Sequence, residues 1–146
     1  SLMHFIMDKE QSEKILKELA TLSQTLLALH KELLEFEKKN YESINGKISS
    51  SGAFLTLLMN DPAFNWLRKL SGLIVMIDEM IDPTEKNPVD RSPREILLDI
   101  EKLLQPDEQG QEFAQKYHTA IHHEPTIAIA HGQAMNELKK IITMTI

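Results

Sequence analysis

The chain contains no cysteine. That excludes disulfides, thiolate metal ligands and a cysteine nucleophile, and it fits a reducing compartment, so a cytoplasmic location is expected. Glycine is scarce, at five in 146 residues, and aromatics make up only 5%. No G-x-G-x-x-G follows a strand, and no lysine follows Ser49, Ser50 and Ser51 at phosphate-loop spacing. The G-x-S-x-G and H-E-x-x-H patterns are absent too. No apolar run approaches the roughly 20 residues needed to span a bilayer. The opening LMHFIM lacks a basic start and runs at once into DKEQSEK, so it does not read as a secretory signal. Ser1-Leu2 ahead of Met3 reads as a cloning remnant, with the natural start at Met3. Positive charge is also short: 16 Lys and Arg stand against 22 Asp and Glu, and they are scattered. A nucleic-acid backbone is therefore a poor partner.

What the chain does have is helical periodicity. Ile15, Leu19, Leu22, Leu26, Leu29, Leu33 and Phe36 alternate spacings of four and three. This is a heptad seam, and it predicts a helix over residues 8–43. Leu16, Ala20, Leu27 and Leu34 form a second row beside it, and Asn45-Gly46 supplies the stop. A short helix is expected over 52–59. Asp61 and Pro62 then suit the N-cap and first position of a helix over 61–81. Trp66, Leu67, Leu70, Leu73, Ile74, Ile77, Met80 and Ile81 form its apolar stripe. So apolar a helix is expected at the centre of the fold.

Residues 82–91 hold two prolines and read as an exposed connector. Ser92 and Glu95 match a capping box. The helix they open carries Ile96, Leu97 and Ile100 and ends before Pro106. Asp107 is expected to cap the next helix, with Phe113, Tyr117, Ala120 and Ile121 on one face. Glu124-Pro125 turns the chain into a last helix over 126–143. The expected fold is all-α and a single domain over 1–146. It is a bundle of four main helices with a long N-terminal helix and a short extra helix.

The strings N-G-K-I-S-S-S-G-A-F-L-T-L-L and D-P-A-F-N-W-L-R-K-L-S-G-L-I-V-M-I-D-E carry a resemblance. Together they look like a family of small bacterial all-helical proteins known mainly as uncharacterised. The likeness is clearest over 41–79, with FAQKYH and AHG as fainter echoes. It implies a helical domain of bacterial origin and no particular activity.

Histidine is the one concentrated chemical signal. His118 and His122 are spaced i, i+4 and share a helical face. An antiparallel hairpin turning at Glu124-Pro125 would bring His131 level with His118. Three imidazoles plus a carboxylate such as Asp78 would suit a transition metal. The competing reading is half-exposed surface histidines with no ligand and no cofactor. Asp78 sits at the edge of the apolar stripe, where it could be a ligand, a general base or a structural anchor bonded to Tyr41, His30, Arg91 or Arg94. Trp66 could line a binding site but on that stripe reads as core.

Two functions fit. The first is a non-enzymatic protein-interaction or regulatory domain, expected to form a homodimer through Leu16, Leu27, Leu34 or an apolar arm over 3–7. The second is a small metal-binding bundle, comparable in architecture to hemerythrin-like or DinB-like proteins.

Overall fold

The heptad seam becomes the frame of the molecule. In the computed structural model, which describes residues 1–84 and 90–146, helix α1 runs from Leu2 to Asn45. At 1.5 Å per residue its 44 residues make a rod about 66 Å long. Leu19, Leu22, Leu26, Leu29 and Leu33 are all buried along one side. Each contributes roughly 1.5–3 kcal/mol if fully buried. The helix begins earlier than residue 8 because Ser1 caps it, its hydroxyl accepting from the His4 amide. At the far end Gly46 takes a positive φ of 87° and its amide closes onto the Glu42 carbonyl, a conformation glycine adopts without strain.

Five further α-helices and one 3-10 helix follow, and no strand occurs among the described residues. They are α2 (Ser51–Asn60), the 3-10 helix Pro62–Leu67, α3 (Arg68–Ile81), α4 (Pro93–Leu103), α5 (Glu112–His123) and α6 (Pro125–Met144). The all-α class and the long first helix are as expected. The most extensive partner of α1 is α6, with α3 second. The centre is therefore shared, with Leu70, Ile74 and Ile77 of α3 and Ala134, Leu138 and Ile141 of α6 all buried.

The segment expected as one helix over 61–81 divides in two. Asp61 caps it as predicted, its carboxylate accepting from the Ala63 amide at 2.9 Å. The first turns are 3-10, which eclipses side chains three apart and buries both Phe64 and Leu67. Phe64 meets Tyr41 and Phe54 at ring-centroid distances of 5.8 Å. Trp66 points elsewhere, towards Phe113 at 5.4 Å. The tighter winding thus splits the aromatic side chains between α1–α2 and α5. Arg68 finishes the junction by donating to the Met59 carbonyl at 2.9 Å, satisfying an orphan at the end of α2.

The α3–α4 connector is exposed at residues 82–84 and 90, while residues 85–89 lie outside the described residues. Ser92 caps α4 by accepting from the Glu95 amide at 3.2 Å. Asp107 does not cap α5, whose N-cap is Gln111. The Asp107 carboxylate instead accepts from the Gln109 amide at 2.9 Å, and its own amide donates to Ala114 at 3.1 Å. A local side-chain turn competes successfully with the cap. Gly110 is required there, since a Cβ would lie 2.9 Å from that of Ala114. Glu124-Pro125 then reverses the chain, and α6 packs against both α5 and α1.

Candidate functional site

The histidines do not gather as the hairpin argument expected. The turn places Tyr117, not His118, opposite His131, with the phenol oxygen 2.6 Å from His131 Nδ1. The register differs by one residue, enough to turn His118 away from the α5–α6 interface. Burial pushes the Tyr117 phenol above its ordinary range. Burial, with Lys139 nearby, lowers His131. Both shifts favour the neutral forms, and the phenol and Nδ1 share one hydrogen bond.

His118 and His122 do meet, their ring centroids 4.0 Å apart. His122 Nδ1–H donates to the His118 carbonyl at 2.8 Å, leaving Nε2 with its lone pair. Asp78 is elsewhere, on α3. It accepts from the Ser23 hydroxyl of α1 at 2.5 Å, so its partner is none of the four anticipated side chains. Asp78 itself is exposed and Ser23 is the buried member of the pair. Among the described residues no three His, Asp or Glu side chains group so as to hold a metal ion.

Two charged clusters join α1 to the rest of the bundle. The first was not anticipated. Glu37 is buried, and its carboxylate accepts from Trp66 Nε1 at 3.1 Å and from Asn40 Nδ2 at 3.2 Å. Lys116 Nζ lies 3.7 Å away. The available signal was Trp66 itself, because a buried indole N–H needs an acceptor. The second lies between α1 and α6. Glu18 and Glu137 share a hydrogen bond, and Lys140 Nζ sits 3.1 Å from Glu18. Burial and the neighbouring Glu18 push the Glu137 carboxyl up to about 7. The Glu137 contact and the Lys140 ammonium hold Glu18 below the usual carboxylate range. Below about pH 7 one proton is thus held between the two carboxyls.

The broadest unusual feature is a surface. Residues 1–14 are exposed all around the helix, yet they include Leu2, Met3, Phe5, Ile6 and Met7. The polar run 8–14 interrupts the arm's apolar character, which resumes beyond it. At about 100° per residue Leu2 and Phe5 share a stripe with Leu16, Ala20 and Leu27, and all five are exposed. Leu34 of the second row is partly buried against the core. Val75 of α3 is also exposed. It lies one turn from Asp78, as Leu27 lies one turn from Ser23. Gln11 Nε2 ties the arm to the bundle by donating to the Met144 carbonyl at 3.2 Å.

No family model, curated protein or solved structure matches this chain. No helix among the described residues is long and apolar enough to cross a membrane.

Proposed function

We propose that this chain is a bacterial, cytoplasmic, non-enzymatic interaction protein whose first partner is a second copy of itself. The reading rests on the exposed apolar stripe of α1. A helical arm so exposed is marginal alone in water, and exposed apolar patches such as that over residues 2–7 and, beyond the polar run 8–14, Leu16 and Leu27 mark an interaction site. A two-fold pairing of the stripes, covering Leu2, Phe5, Leu16 and Leu27, is the commonest way to satisfy such a surface. The resemblance of residues 41–79 to bacterial helical proteins supports the origin, and the cysteine-free composition supports the compartment. Light scattering tests the assembly. A mass twice the 16.7 kDa of the chain is expected at micromolar concentration. Phe5→Glu with Leu27→Glu should return the single-chain mass with helicity intact. A wild-type monomer across that range overturns the proposal.

A second reading is a transition metal held by His118 and His122. The observation favouring it is the ring pair with the His122 Nε2 lone pair free. Zinc or nickel should then bind stoichiometrically and raise the melting temperature, and His118→Ala should abolish both effects. No shift on adding metal removes this reading.

A further inference from the structure

A groove of about 850 Å³ opens between α3, α4 and the loop joining α4 to α5. That is the size of a small-molecule site. Its apolar surface comes from Leu73 and Met76 on α3, Leu103 on α4 and Phe113 on α5. The loop bordering it is fixed by the Asp107 turn and by the close seating of Gly110 on Ala114. The groove is therefore formed before any ligand arrives.

Gly72 is the telling residue on its wall. A glycine inside a helix costs about 1 kcal/mol relative to alanine. Nothing in the chain demands it, because a Cβ there would meet no atom within 4 Å. Its effect is to leave the backbone of α3 bare where it faces the groove.

The charges at the rim are unequal. Asp99 is neutralised by Arg91 at 2.6 Å. Asp107 spends an oxygen on its own turn. Arg68 is occupied with the α2 carbonyls. Lys69 and Lys102 flank the groove from its two helical walls, and neither has a hydrogen-bond or ion-pair partner among the described residues. Asp107 remains a carboxylate without an ion pair, but Arg68, Lys69 and Lys102 outnumber it and Asp99, so the balance of charge around this apolar surface is positive in a chain of net charge −6.

We propose that the groove binds a small carboxylate-headed amphiphile of the fatty-acid type. The chain of the ligand lies over Gly72, Leu73, Met76 and Phe113, and its carboxylate lies between Lys69 and Lys102.

The single tryptophan supplies the readout, since Trp66 meets Phe113 in a tilted ring contact at 5.4 Å. The full-length protein is titrated with sodium decanoate below its micelle concentration, with decanol and decyltrimethylammonium as matched controls. Saturable one-to-one binding of decanoate is expected, at least tenfold tighter than either control. Lys69→Gln with Lys102→Gln should remove most of that tenfold preference while leaving decanol unchanged. Gly72→Phe should fill the groove and abolish binding, with a melting temperature at or above wild type because a helix-weakening glycine is gone. The proposal is overturned by the absence of saturable binding, by decanol binding as tightly as decanoate, or by undiminished binding to a folded Gly72→Phe variant. Loss of preference in the lysine variant confirms the anionic head even if Gly72→Phe does not fold.

Discussion

Leu26 and Leu27 are neighbours in sequence and identical in chemistry, yet the first is 0% exposed and the second 50%. They stand for two regions of α1. The inner stripe meets α3 and α6, and the outer stripe, with the arm that continues it, meets solvent. Helical propensity treats the two residues alike. The difference is the 100° between them and what the rest of the chain brings to each side. An apolar row in sequence announces that something should cover it, not that the same chain does so.

Substitution should separate the two regions sharply. Leu26→Ala, or Leu70→Ala and Ile74→Ala in the same core, should each cost about 2–5 kcal/mol in urea unfolding. A change below about 1 kcal/mol at all three would mean that the inner stripe is not the core it resembles. Glu37→Ala is the next largest. It leaves the buried Trp66 indole without an acceptor and should cost about 1–3 kcal/mol. Trp66→Phe in the same background should recover part of that loss, and no recovery would assign the cost to Lys116 or Asn40.

The α6 side of the same helix should respond to pH. Glu137 has a folded-state pKa of about 7, raised above its unfolded value. Its contribution is therefore fully present below about 4.5 and lost as pH rises through 7. Thermal stability should rise on acidification from pH 8 towards pH 5, and Glu137→Gln should flatten that slope. An identical slope in the variant would place the titrating group elsewhere. Glu18, whose pKa is lowered, contributes with the opposite sign and loses its share only as the solution becomes more acidic than its unfolded value.

The smallest effect belongs to the outer stripe. Leu27→Ser should change the stability of the isolated chain by no more than about 0.5 kcal/mol. It should nevertheless weaken self-association measured by sedimentation. A core-sized loss of stability there would show that Leu27 is covered within one chain.

How much of this was legible beforehand follows from the range of each interaction. The seam from Leu19 to Leu33, the Asp61 and Ser92 caps and the Glu124-Pro125 turn are local signals, and each appears where periodicity or capping chemistry put it. The start of α1 was read too late because Leu2–Met7 offers no polar face to set a phase. Asp107 had two local uses, a cap or a side-chain turn, and its tight loop with Gly110 took the second. The Tyr117–His131 pair required the hairpin register to the residue. Ser23–Asp78, Glu37–Trp66 and Glu18–Glu137 join distant positions, and no single-chain pattern distinguishes them from other polar pairs. The groove beside Gly72 is a space between elements, and a sequence describes the walls without the space.

The length of α1 has a further consequence. Starting a helix is the unfavourable step, while adding a residue to an existing one is nearly neutral. In α1 the starting step is taken where Leu19–Leu33 are packed, so the exposed arm is an extension of a nucleus already secured. It can unwind from Leu2 inward, residue by residue, and rewind without disturbing the bundle. Amide hydrogen exchange along α1 should therefore run as a gradient, fastest at the arm and slowest beside Leu26, with any bound partner read as the point where that gradient steps.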